Sequence, residues 1–182
     1  QLWTLGIRDK QLLVIIRKML KAPIVLTNGE IMYPTKGTPQ GGILSPLLAN
    51  INLNEFDWWI ANQWATRHVK EIGHRFCHNG TENMGHHTDK LRKSTNLKEM
   101  YLVRYADDFK IFCRDKESAT KIYHAVKLWL KDRLKLNISE EKSKITNLKK
   151  EATEFLGFTM KLKRKANKWV CHSFVSDKAL KR

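Results

Sequence analysis

Residues 101–115, YLVRYADDFKIFCRD, set two adjacent acids, Asp107 and Asp108, at the centre of an otherwise apolar, alternating stretch. Alternation on both sides of the pair predicts two short strands forming a hairpin, with the acids near its turn. At such a turn the two side chains cannot both be buried in the sheet, so at least one projects where a ligand could reach it. Two ionised carboxylates held together repel, and one keeps its proton unless a cation lies between them. A hard divalent ion resolves that conflict, since Mg²⁺ takes carboxylate oxygens and keeps waters and phosphates as its other ligands. Taken alone, the pair reads equally well as an ordinary turn, where Asp is common.

The flanking sequence is organised around this hairpin. DKQLLVIIRKMLK, residues 9–21, predicts a helix capped by Asp9, with Leu12, Leu13, Ile16, Met19 and Leu20 on one face and Pro23 at the stop. Asn28-Gly29 offers a turn between two extended pieces. GTPQGG follows, and then a long helix with Ser45 as its cap, Pro46 at the first helical position, and Ala49, Leu53, Phe56, Ile60 and Trp64 recurring at helical spacing. Residues 74–98 lose all periodicity and read as a surface insertion. Beyond the hairpin, residues 115–134 form another amphipathic helix, with Ile122, Val126, Trp129 and Leu130 on one face. SKITNL, TEFLGFTMKLK and NKWVCHSF then read as strand-like pieces. Helices and hairpins without a βαβ rhythm predict an α+β fold, an antiparallel sheet with helices packed on one face.

The 34 Lys and Arg against 18 Asp and Glu give a net charge of +16, which points to a polyanionic partner, most simply nucleic acid. No apolar run is long enough to span a membrane, and the N-terminus lacks the form of a signal peptide, so a soluble intracellular chain is expected. Cys77, Cys113 and Cys171 are too few and too scattered for a disulfide framework. His74, Cys77, His78, His86 and His87 crowd one segment, but their spacing matches no common zinc pattern and reads as a His-rich polar insertion. Lys161, Lys163 and Lys165 alternate, which places them on one face of a strand, facing phosphates or guarding a sheet edge. Trp169, set among lysines, is the tryptophan placed to contact a base or sugar; the others read as core anchors.

GTPQGG before a Ser-Pro helix start, then YADD in a hairpin, LKLNISEEKSKI, and FLGF form an ordered series. In this the sequence resembles the reverse transcriptase family, most closely the group II intron-encoded enzymes of bacteria. The resemblance implies a polymerase palm-like domain over residues 1–160, followed by a basic segment over 161–182. It implies RNA-directed DNA polymerase activity, with Mg²⁺, or Mn²⁺ in its place, held by Asp107 and Asp108. Tyr105 and Ala106 would flank the nucleotide and template, as would Thr38, Pro39, Gln40, Gly41, Gly42 and Ser45, with Lys142 near the phosphates. Leu156 and Gly157 would grip the primer end. The implied partners are an RNA template, a DNA or RNA primer, deoxynucleoside triphosphates and intron RNA, in the bacterial cytoplasm, with no membrane role and the oligomeric state left open.

The same resemblance implies a further essential Asp from a strand ahead of the 9–21 helix, and finger segments that hold the triphosphate. Nothing in the 182 residues matches either, and Asp9 belongs to a helix cap. The expectation is therefore a partial palm that is inactive alone. A non-catalytic, RNA-folding maturase role, or a diversity-generating or retron-type enzyme, is the alternative.

Overall fold

A computed structural model of the chain describes residues 2–33, 44–67, 75–81 and 83–180. Its first helix, α1, runs Lys10–Leu20 and starts where a carboxylate can satisfy the free N–H groups of the first turn. Asp9 Oδ1 accepts from the backbone N–H of Gln11 and Leu12, at 2.8 and 3.1 Å. The apolar face of α1 is only partly covered: Leu13, Ile16 and Leu20 are half-buried, while Leu12 and Met19 are exposed. Leu20 lines an apolar groove with Leu2, Trp3, Leu48 and Ile51. Strands β1 (Ile24–Val25) and β2 (Ile31–Met32) pair antiparallel. Gly29 supplies a left-handed residue (φ 83°) to the turn between them, as Asn28-Gly29 suggested.

Helix α2 spans Ser45–Gln63, but Ser45 is its first residue and not its cap. The cap position falls on Leu44, already helical at φ −85°, ψ −9°. The Leu44 carbonyl accepts the Leu48 N–H at 2.9 Å, so the helix begins one residue earlier than a serine cap would place it. Pro46 lies in the first turn, where a missing N–H costs nothing. Leu53, Phe56 and Ile60 are buried along α2, as is Trp64 at its end.

Residues 74–98 are not the structureless excursion that their composition suggested. Within them α3 runs Met84–Ser94. Asn83 Oδ1 caps it by accepting the His86 N–H at 3.0 Å, and His87 and Leu91, four residues apart, are buried. Strands β3 (Met100–Tyr105) and β4 (Asp108–Cys113) form the predicted hairpin. On β3 the alternation leaves Met100, Leu102 and Arg104 covered, with Tyr101, Val103 and Tyr105 exposed. Helix α2 packs on β3. The Phe56 ring meets Phe109 of β4 at 5.1 Å between centroids, and the Trp64 indole N–H donates to the Tyr101 hydroxyl at 3.2 Å.

These elements belong to one compact unit, Gln1–Phe112, and a second unit comprises Cys113–Arg182. In the second unit α4 (Lys116–Trp129) widens into a π-type turn over Leu130–Leu134 and ends at Lys135 in the left-handed region, φ 57°. Ile122, Val126 and Leu130 are its buried apolar positions, and Ser118 is buried in its first turn. Asp115 caps it, accepting the Ser118 N–H and the Ser118 hydroxyl, each at 2.8 Å. Asp115→Ala removes both bonds and is expected to lower stability by about 1–2 kcal/mol, read from the urea midpoint at unchanged slope.

SKITNL, read as a strand, is irregular. It contributes one backbone carbonyl, Leu148 O, to the Leu162 N–H at 2.9 Å. The remaining strands, β5 (Thr153–Phe155), β6 (Phe158–Lys165) and β7 (Lys168–Val175), form a three-stranded antiparallel sheet in that order. A short helix, α5 (Asp177–Leu180), follows. The fold is thus α+β, with small antiparallel sheets in both units.

Candidate catalytic hairpin

Ala106 and Asp107 make the turn between β3 and β4, and Asp108 opens β4. Both acids are exposed, as is Tyr105 beside them, at 65%. The tight turn is reached by placing Ala106 at φ 52°. That left-handed conformation costs a residue with a Cβ roughly 1–2 kcal/mol, so something must hold it.

Arg104 does so, and sequence reasoning passed it over. Its Nη1 donates to the Ala106 carbonyl at 2.7 Å and to Asn50 Oδ1 of α2 at 2.8 Å. Its Nε and Nη2 grip both carboxylate oxygens of Asp57, also on α2, at 2.7 and 2.5 Å. The hydrogen bond to Asp57 is the main reason the guanidinium holds its proton still more tightly than usual. A signal was present in the sequence: an arginine at a covered-face position of an apolar strand, directly before two acids, needs a buried acceptor. Phe109, against Phe56, fixes the other strand at the same end. The hairpin tip is therefore held to α2 by a charged fork on one strand and a ring on the next.

The donor set at this tip consists of carboxylate oxygens, which suits a hard divalent cation and not a soft one. Among the described residues no three His, Cys, Asp or Glu side chains gather where they could hold a metal between them. His86 and buried His87 lie on α3, while Cys77 and His78 are exposed on the preceding loop. His74 lies outside the described residues.

Of the other residues singled out in the sequence, Ser45 opens α2 in the same unit. Thr38, Pro39, Gln40, Gly41 and Gly42 lie outside the described residues. Lys142 is exposed in a turn of the second unit. Leu156 and Gly157 form the two-residue loop of the β5–β6 hairpin, at φ 51° and 79°. Two successive left-handed residues are what a tight hairpin of matching twist requires, and glycine takes the second position without strain. Lys161, Lys163 and Lys165 share a face of β6 with Lys168 and His172 across the ladder. β5 pairs with β6 only as far as Met160, so these lysines lie where β6 has β7 on one side and, on the other, a single bond from Leu162 N–H to the Leu148 carbonyl, a placement that fits lysines guarding an open edge. The Trp169 ring, 49% exposed, carries the Lys149 ammonium 4.9 Å from its centroid.

Cys113, at the end of β4, is half-buried; burial, helped by the Asp115 carboxylate, pushes its thiol up to about 11. Cys77 and Cys171 are exposed. Since the thiolate is the nucleophile, a maleimide at pH 8 should label Cys113 at least about tenfold more slowly than the other two. Raising the pH towards 11 should narrow that gap; mass spectrometry of the labelled peptides checks both.

Residues 1–160 match the family model described as "Reverse transcriptase (RNA-dependent DNA polymerase)". The chain is 35% identical over 190 residues to "Group II intron-encoded protein LtrA" of Lactococcus lactis subsp. cremoris, covering 88% of this chain and 31% of that protein. It is 30% identical over 160 residues to "Protein YkfC" of Escherichia coli (strain K12), covering 87% and 41% respectively. It is also 28% identical over 178 residues to "Putative COX1/OXI3 intron 2 protein" of Saccharomyces cerevisiae, covering 86% and 21%. The chain spans less than half the length of each of these relatives.

Proposed function

Because this chain belongs to the reverse transcriptase (RNA-dependent DNA polymerase) family, we propose that it forms a palm-like part, over residues 1–160, of an enzyme that copies RNA into DNA. The observation that carries this reading is the tip of the β3–β4 hairpin, where two adjacent exposed carboxylates sit on a turn pinned to α2 from both strands. Residues 161–182 form a basic segment at its end.

In this account Asp107 and Asp108 would hold Mg²⁺. The ion would supply positive charge that offsets charge developing on the transferred phosphate. The protein's own part is positional. Tyr105 presents its ring beside the acids, and the left-handed Ala106 turns the acids outward. By the family resemblance, Thr38, Pro39, Gln40, Gly41, Gly42 and Ser45 would contact the incoming nucleotide and template base, the glycines having no side chain to obstruct it. Lys142 meets phosphate oxygens, and Leu156 with Gly157 steadies the primer end. The primer 3′ hydroxyl attacks the α-phosphate of a deoxynucleoside triphosphate, and pyrophosphate leaves.

The relatives named for group II and other introns support an intron as the biological template, copied during its movement to a new DNA site. Among the described residues no helix is long and apolar enough to cross a membrane. The +16 charge also favours a second reading, in which the protein binds intron RNA and assists its folding without chemistry. Primer extension by the complete protein, on an RNA template with deoxynucleoside triphosphates and Mg²⁺, tests the first reading. Template-directed DNA synthesis is expected; tight RNA binding without any synthesis would overturn it in favour of the second.

A further inference from the structure

We infer that Arg104, anchored by Asp57 and Asn50, is a positioning residue that sets the direction of the Asp107 and Asp108 carboxylates by holding the Ala106 peptide. The inference rests on the reading of the hairpin as the catalytic site. It adds a device that connects α2 to the geometry of the acids.

The argument starts from the turn. A two-residue connection with Ala106 at φ 52° is not one that alanine prefers, so the backbone needs an external hold. The only charged side chain on the covered face of β3 supplies it: Arg104 lies two residues before Ala106 and donates to its carbonyl at 2.7 Å. That bond fixes the peptide joining Ala106 to Asp107, and with it the direction in which the Asp107 side chain leaves the turn.

The fork itself is prevented from swinging. Asn50 and Asp57 are seven residues apart on α2, two turns along one face, and they take three further hydrogen bonds from the same guanidinium. The Arg104 side chain is 12% exposed and that of Asp57 35%. The pair is therefore shielded enough to be stiff, and its bidentate geometry allows one orientation. Lysine would keep the charge but has no planar fork with which to bond Asp57 twice and Ala106 at the same time. A packed residue that orients ligands in this way commonly affects metal affinity or activity by about 10–100-fold.

Electrostatics and positioning make opposite predictions for metal binding, which allows a clean test. Removing a cation close to the acids, and leaving the Asp57 charge unpaired, should strengthen cation binding on charge alone. Loss of aim should weaken it. The experiment uses the complete protein as wild type, Arg104→Gln, Arg104→Lys and Asp57→Asn. It measures Mn²⁺ binding by electron paramagnetic resonance, primer–template affinity, and kcat and KM for single-nucleotide addition.

The expected result for Arg104→Gln is Mn²⁺ binding weakened about tenfold and kcat lowered about 10²-fold. Primer–template affinity and the KM for nucleotide should stay within about twofold of wild type, as expected when only the aim of the acids is lost. Arg104→Lys and Asp57→Asn should move in the same direction by less. Mn²⁺ bound as tightly as in wild type or more so, or a wild-type kcat, overturns the inference. So does a kcat loss that merely follows lost RNA binding and a lowered melting temperature, because that marks a role in folding alone. If Arg104→Gln does not fold, Arg104→Lys, which keeps the charge and loses only the fork, decides by the same criteria. A wild type that binds Mn²⁺ but makes no DNA would count against the catalytic reading of the hairpin, while the Mn²⁺ comparison still decides the role of Arg104.

Discussion

Phe56→Ala is expected to destabilise the first unit by about 3–5 kcal/mol, a large share of the roughly 5–15 kcal/mol that holds a typical domain folded. Phe56 is fully buried on α2, with its ring 5.1 Å from Phe109 and 6.2 Å from Trp59. Truncation removes the transfer energy of a whole ring and leaves a cavity under the hairpin that carries the two acids. Phe56→Leu keeps most of the volume and should cost less than half as much. Urea unfolding of wild type and both variants, followed through tryptophan fluorescence, measures the difference directly. A Phe56→Ala change below about 1 kcal/mol would mean that α2 is not the floor of the hairpin.

The hairpin was legible in the sequence because two short apolar runs rich in β-branched and aromatic residues flank a central Asp-Asp pair. The start of α1 was equally plain, since Asp9 stands at a cap position ahead of apolar residues at helical spacing, whereas Asp115, read as part of helix α4, proves to be its cap. Helix α3 was hidden for a physical reason. Only His87 and Leu91 face inward, so a polar, His-rich segment carries a helix whose apolar stripe is two residues wide. Ile145 and Leu148 gave SKITNL the look of a strand, yet it shares a single ladder-like bond with β6. Arg104 was missed because its partners lie 47 and 54 residues away. Local pattern shows that a charge falls on a covered face but cannot name the acid that meets it. The GTPQGG motif was the most specific companion of YADD in the sequence, and it lies outside the described residues.

Asp107→Asn should have the largest effect on activity. The substitution keeps the side chain's shape and its position on the turn, so the Arg104 fork and the Phe56–Phe109 contact are untouched. It removes one of the two negative charges that justify a divalent ion at this tip. The expected loss in nucleotide incorporation is about 10³-fold or more, equivalent to roughly 4 kcal/mol of transition-state stabilisation. RNA binding should be unchanged or slightly tighter, because a basic surface loses one opposing charge. That pairing of outcomes is specific to chemistry. A residue that served only to hold the fold or the RNA would lose binding together with activity.

The central claim is that these acids serve catalysis and are not a solvated turn on an RNA-binding protein. It is tested most directly by primer extension on an RNA template, comparing the complete protein with its Asp107→Asn variant while RNA affinity is measured on the same preparations. The account predicts robust DNA synthesis by the first, essentially none by the second, and equal RNA affinity. Equal synthesis by both proteins would contradict it.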